Sequence, residues 1–176
     1  MINKPVGYIT STKDNFKRKT VLDIIPKNIR VYPIGRLDYN TSGLLVLTND
    51  GDLTFKLTHP KFKIEKTYNV IINGCINSKN IRRLKNGVII DNYKTKEAKV
   101  EVLEKDLINT KLKITIFEGK NRQVRKMVAA IGHKVISLER VSVANLNLGD
   151  LKNGSFRYLN LNEVEQLKAL VDIKKD

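Results

Sequence analysis

The chain has 176 residues, 41% of them hydrophobic and 29% charged, the balance of a soluble globular protein with one ordinary domain's worth of core. Thirty-three Lys and Arg stand against eighteen Asp and Glu, a formal net charge of +15. That excess points to a phosphate polymer as partner, bound with release of counterions. No apolar run nears the roughly 20 residues of a membrane span, and the start Met1-Ile2-Asn3-Lys4-Pro5 carries no export signal. The single Cys75 has neither a disulfide partner nor Cys or His at metal-ligand spacing. A cytoplasmic protein with no metal and no membrane is the expectation.

In chain order, strand-like runs are expected at Val6 to Ser11, Val31 to Ile34, Leu44 to Thr48, Lys66 to Ile72, Ala98 to Leu103, Lys111 to Phe117, Val135 to Val143 and Phe156 to Leu161. Alternation is clearest where Leu112, Ile114 and Ile116 interleave with Lys111, Lys113 and Thr115, which implies one buried and one wet face. Helices are expected at Thr20 to Ile25, Asp52 to Thr58, Ser78 to Lys85, Arg122 to Ile131 and Glu163 to Val171, the last capped by Asn162. Asp50 and Asp52 suit the start of a helix through capping and the dipole, better than they suit a calcium loop. His59 and His133 read as helix-end or loop residues. Several strands follow one another from Val88 to Phe117 without a helix, so the fold class is α+β with a mixed, largely antiparallel sheet. No Pro-, Gly- or Ser-rich linker marks a boundary, so residues 1–176 read as a single domain with a frayed tail at about 172–176.

The segment Arg122 to Ile131 places Val124, Met127, Val128 and Ile131 on one face and Arg122, Arg125, Lys126 and Ala129 on the other. Behind the turn Gly119-Lys120-Asn121 this forms a cationic ledge, or equally an amphipathic helix with a solvated face. Lys61, Lys63, Arg82, Arg83 and Lys85 either extend that track or are simply solvated.

The run Gly35-Arg36-Leu37-Asp38-Tyr39-Asn40-Thr41-Ser42-Gly43-Leu44-Leu45 holds one carboxylate and one guanidinium in a tight loop before an apolar strand. An ionised carboxylate kept from bulk water, with a cation nearby, is a competent nucleophile or base. The same residue types also make an ordinary turn. Arg36 is too near in sequence to be assured of facing Asp38; Arg125 is the better candidate partner.

Here four segments, in order, resemble the RsuA/RluB-type ribosomal pseudouridine synthases. Ile2-Asn3-Lys4-Pro5-Val6-Gly7-Tyr8 is similar to the opening motif, and the Gly35 to Leu45 run to the catalytic loop. Lys66-Thr67-Tyr68 is similar to the segment of the active-site tyrosine. Leu112 to Met127, through Glu118-Gly119-Lys120-Asn121-Arg122-Gln123-Val124-Arg125-Lys126, is similar to the closing strand–turn–helix motif. The motif style is nearest the RluB branch, which acts on the large ribosomal RNA. The resemblance implies the pseudouridine synthase fold with a central active-site cleft, and conversion of uridine to pseudouridine in ribosomal RNA. Asp38 matches the catalytic aspartate, which attacks the uracil ring or the ribose anomeric carbon. Tyr68 matches the aromatic that packs on the target base and takes part in removing the C5 proton, and Arg125 the residue that pairs with the aspartate. Arg36 matches an RNA-contacting position that fills the gap left by the displaced base. Motifs and charge together make Arg36, Lys4, Lys66, Lys120, Asn121, Arg122, Gln123 and Lys126 the expected RNA-binding set.

The expected partner is ribosomal RNA, 23S, or a pre-ribosomal particle, engaged by a monomer that needs no cofactor. A small S4-type module precedes the catalytic domain in many members, whereas this sequence opens on the first catalytic motif. Two rivals are a non-catalytic ribosomal RNA-binding or ribosome-assembly module, and a two-carboxylate nucleoside glycosidase for which Glu118 is the obvious second acid.

Overall fold

The computed structural model describes residues 1–172, so the expected tail beyond Asp172 lies outside the described residues. Two units divide the chain, one of residues 65–139 and one of the residues before and after it.

The first unit opens with β1 (Ile2–Lys4), a 3-10 turn (Val21–Ile24), β2 (Tyr32–Pro33), β3 (Ser42–Leu45), β4 (Leu47–Thr48) and α1 (Gly51–Thr58). The second contains β5 (Lys66–Asn73), α2 (Ser78–Lys85), β6 (Ile89–Ile90), β7 (Tyr93–Lys94), β8 (Lys99–Lys105), β9 (Asn109–Ile116) and α3 (Gln123–Ala130). Strand β10 (Val135–Val143) carries the chain back, and β11 (Leu146–Asn147) and α4 (Leu161–Asp172) complete the first unit. Every strand pairing with a resolved register is antiparallel, and helices cover the sheet, as expected for α+β. Among the described residues no helix is long and apolar enough to cross a membrane.

In the first unit β1 pairs with β3, Lys4 opposite Gly43, and β11 folds back on the end of β10. Its core joins Ile34, Leu44 and Val46 to Leu53 and Leu57 of α1 and Leu167 and Val171 of α4, each helix offering an i, i+4 apolar pair. Asp50 is the N-cap of α1, its side chain accepting from Leu53 N at 2.9 Å, as the sequence led us to expect.

Helix α4 starts two residues earlier than expected, and its cap is Asn160 rather than Asn162. Asn160 Oδ1 accepts from Glu163 N and the Glu163 carboxylate accepts from Asn160 N, each at 2.9 Å, a reciprocal capping box. Arg157 donates to the same carboxylate through both terminal nitrogens, at 2.8 and 2.6 Å. These bonds, those from Arg157 first, pull the Glu163 pKa down to about 2. A depressed carboxylate stabilises the fold fully above its ordinary range, and that contribution disappears as pH falls through the folded value. Thermal unfolding midpoints are therefore expected to drop between pH 4.5 and about 2, and the drop should be shallower in Glu163→Gln. Parallel pH profiles for the two proteins would refute this.

The second unit sets β5, β9 and β8 side by side, with the first half of β10 next to β5. Tyr68, Val70 and Ile72 of β5 face Ile114, Leu112 and Thr110 of β9 across an eight-pair register. The expected stripe of α3 is buried: Val124, Met127, Val128 and Ile131 are at most 5% exposed. Two-residue strands β6 and β7, which periodicity did not reveal, turn through Asp91 and Asn92 with φ of +47° and +61°, the backbone of a tight hairpin.

Two expected strands are absent. Val6 to Ser11 is a turn followed by irregular chain, because Pro5 has no N–H to donate and Gly7 takes φ +88°; the strand is the preceding Ile2–Lys4. Phe156 to Leu161 makes only an isolated bridge, from Phe156 to Ile2, and Leu161 already belongs to α4.

Candidate active site

The loop from Ile34 to Thr41 is anchored from inside and from behind. Ile34 and Leu37 are buried on either side of exposed Arg36. Gly35 turns the chain at φ +71°, where a side chain would be strained. Thr10 Oγ1 donates to Leu37 O at 2.7 Å and accepts from Leu37 N at 3.1 Å. Gly7 N donates to Tyr39 O at 2.8 Å, and Thr41 N donates to Asp38 O at 3.1 Å, closing a turn that starts at Asp38. The half-buried Asp38 side chain thus leaves a backbone held on both flanks, the rigid support a reacting group needs.

Lys4 lies beneath this turn. Its side chain is fully enclosed and its Nζ donates to Pro5 O and Thr41 O, both at 2.8 Å. Burial lowers its pKa to about 8, and the Asp38 charge works in the opposite direction. The expected RNA contact at Lys4 is therefore corrected: an enclosed ammonium cannot meet a phosphate, and it serves the Asp38 loop instead. Below β3 a second buried cation, Arg140, donates from Nε to Leu44 O at 2.8 Å. Sequence reading missed Thr10 and Arg140. The only signal for Arg140 was a charge two residues from Leu138 on an alternating strand.

Tyr68 and Arg125 belong to the second unit. Tyr68 is 8% exposed on the apolar face of β5, and Arg125 is half-buried on α3. Lys66 opens β5 opposite Ile116, also half-buried. The turn into α3 keeps Lys120, Asn121 and Arg122 exposed, with Arg122 at φ +52°.

Gln123 is buried and its side chain is occupied: Oε1 accepts from Lys120 N at 2.9 Å, and Nε2 donates to Glu118 Oε1 at 2.6 Å. That corrects the expectation that Gln123 touches RNA; it shapes the turn that presents its neighbours. Lys126 is ion-paired with Asp91, and the Lys120 ammonium lies over the Tyr93 ring at 4.5 Å. Glu118 is the hub of this network. At 5% exposure it also accepts from Tyr93 OH at 2.8 Å and Lys96 N at 3.0 Å, and the Tyr93 pKa rises through that bond first. A carboxylate so fully engaged is structural, which removes the second acid of the glycosidase reading. Among the described residues no group of three His, Cys, Asp or Glu could hold a metal ion. His59 caps the end of α1, and His133 follows α3 with its ring bonded to Asn73 O.

Comparison with known proteins agrees with the motif reading. A family model described as RNA pseudouridylate synthase matches residues 1–130. Ribosomal large subunit pseudouridine synthase B of Bacillus subtilis is 46% identical over all of this chain and 73% of its own length. Ribosomal large subunit pseudouridine synthase E of Vibrio parahaemolyticus is 41% identical over 92% of this chain and 73% of its own. A crystal structure of a pseudouridylate synthase superposes with a TM-score of 0.86 at 32% identity, over 94% of this chain and 71% of that one.

Proposed function

Because the chain belongs to the RNA pseudouridylate synthase family, we propose that it isomerises uridine to pseudouridine at a defined site in ribosomal RNA, with the Asp38 carboxylate as nucleophile. The large-subunit (23S) RNA is the proposed target, since the relatives just described are named for that subunit. The protein is proposed to work as a cytoplasmic monomer, its residues acting as one catalytic domain without metal or cofactor.

One observation carries this reading. In a protein of net charge +15, a half-buried carboxylate is held in a clamped turn over an enclosed ammonium. A module that only bound RNA would gain nothing from a negative group built into its surface beside phosphates.

The target nucleotide is first turned out of the RNA fold, at a cost of a few kcal/mol. Stacking on the Tyr68 ring recovers about 1–3 kcal/mol, and backbone contacts from Arg36, Lys66, Lys120, Asn121, Arg122 and Lys126 offset the rest. The ionised Asp38 oxygen attacks the uracil ring or the anomeric carbon, and the N1–C1′ bond breaks. The base turns, a C5–C1′ bond forms, the C5 proton leaves with help from Tyr68, and the carboxylate is regenerated. Product and substrate have equal mass, and no electron is gained or lost. Arg125 supplies the positive charge that keeps the nucleophile ionised.

The test is a pseudouridine map of ribosomal RNA from cells with and without the gene. Loss of a large-subunit pseudouridine names the target; unchanged maps overturn the proposal. Arg125→Met is expected to slow turnover roughly 100-fold or more, the scale of losing one electrostatic contact to a reacting group. Single-turnover rates equal to the parent's would refute the role of that guanidinium.

A further inference from the structure

The segment from Ser11 to Lys19 serves none of the chemistry above, yet it is highly organised. Its base is closed by Ile9 and Thr20, with Ile9 N donating to Lys19 O and Val21 N to Ile9 O. At its centre the Asp14 side chain is only 5% exposed. One Asp14 oxygen accepts from Phe16 N at 3.0 Å and Arg18 N at 2.7 Å. The other accepts from Arg18 Nε at 3.1 Å and Nη2 at 2.6 Å. All four bonds act on the same object, fixing the Arg18 guanidinium 5.1 Å from the centre of the Phe16 ring.

That ring is 78% exposed. A single exposed aromatic on a surface needs no explanation, but this one is held rigid, backed on one side by a guanidinium and open on the other. Lys13, Lys17, Arg18 and Lys19 place four cations on the loop against the Asp14 carboxylate. Lys19 in turn lies over the Tyr8 ring at 5.6 Å. Aromatic faces interleaved with cations are what unpaired nucleic acid binds: bases stack on the rings and phosphates meet the charges.

The loop is also tied to the Asp38 turn. Thr10, the residue before it, makes both hydrogen bonds to Leu37, and Gly7 holds Tyr39. Arg18 lies within charge reach of the Tyr39 hydroxyl, on the residue next to Asp38.

We infer that Phe16 and Arg18 form a stacking platform for an unpaired nucleobase of the RNA that flanks the target uridine. This rests on the RNA-modifying reading above and adds a second base site beside the reacting one. Asp14 acts as a positioning residue, holding the guanidinium behind the ring.

The test uses the full chain and two labelled RNAs, a hairpin with an unpaired loop of uridines and adenosines and a blunt duplex, with binding followed by fluorescence anisotropy. Phe16→Ala and Phe16→Leu are expected to weaken hairpin binding roughly 5- to 100-fold, the range for removing one base-stacking aromatic, and to leave duplex binding unchanged. Leu keeps the apolar bulk, so a deficit shared by both variants isolates the π-face. The chain has no Trp, so F16W carries a unique emission, which should be quenched by the hairpin and not by the duplex. Hairpin affinity of Phe16→Ala within about twofold of the parent, or emission of F16W indifferent to the hairpin, overturns the platform. The two readings fail separately. Phe16-dependent binding by a protein that converts no uridine would sink the enzyme and keep the platform. Conversion of uridine with no effect at Phe16 would do the reverse.

Discussion

Asp38→Asn is expected to abolish pseudouridine formation, with a loss on the order of 10⁴-fold or more, the scale seen when a covalent nucleophile is removed. The exchange keeps size and shape, so the Asp38–Thr41 turn, closed through backbone atoms, and the Thr10 and Gly7 anchors should survive. An amide oxygen carries no full negative charge and cannot form the ester-like adduct, so chemistry is lost while the loop stays in place. Lys4 loses an opposite charge but keeps both carbonyl acceptors. RNA affinity should therefore hold or rise slightly, since a negative group facing a polyanion is gone. Nucleoside analysis of digested substrate RNA after a single turnover, beside a binding titration, reads both quantities. A rate within about tenfold of the parent, roughly 1.4 kcal/mol of barrier, would exclude covalent attack by Asp38. Equal loss of binding and rate would reduce the residue to a structural one.

Gly43→Ala should be the most damaging exchange for stability in the same motif. Gly43 adopts φ +109°, and a Cβ there would lie 2.2 Å from Arg140 O, 2.6 Å from Arg140 N and 2.9 Å from Arg140 C. Those are main-chain atoms of β10, and β1 holds β3 from its other side with Lys4 opposite Gly43, so neither strand can step away cheaply. Backbone strain of about 1–3 kcal/mol adds to an overpacking cost of about 1–3 kcal/mol. A loss of roughly 2–6 kcal/mol is a large share of the 5–15 kcal/mol that holds a typical domain. At about 2–4 °C per kcal/mol for a chain of this size, the unfolding midpoint should fall by roughly 5–20 °C. Gly119→Ala is the control: nothing lies within 4 Å of its Cβ position. Urea unfolding of the two variants decides the matter. A Gly43→Ala protein within about 1 kcal/mol of the parent, the ordinary spread of mild substitutions, would show that the strands have more room than they display.

The pair of predictions separates two kinds of residue within one motif. Asp38 is there for chemistry, whereas Gly43 is there because two backbones meet. Read as letters, both look like turn residues.

Other contrasts have equally local causes. The stripe of α3 and the cap of α1 were legible because they depend on neighbours three and four residues away. The Val6 to Ser11 strand was misplaced because Pro5 and Gly7 interrupt an apolar run that otherwise looks extended. The hairpin at Asp91 and Asn92 was missed because it lacks the Gly that usually announces such a turn. Lys4 and Gln123 were assigned to RNA by residue type, and enclosure reversed both.

Local patterning, motif order and charge were enough to establish the α+β class, the family and a polyanionic partner, since each depends on residue type and short-range spacing. Burial was decided by the fold alone. Whether a Lys meets phosphate or carbonyl oxygen, whether a Glu is reactive or structural, and whether a Phe is core or platform depend on segments distant in sequence closing around them. The free energy of a polar or aromatic group changes sign with the water it keeps or loses, and a linear chain does not say where the water goes.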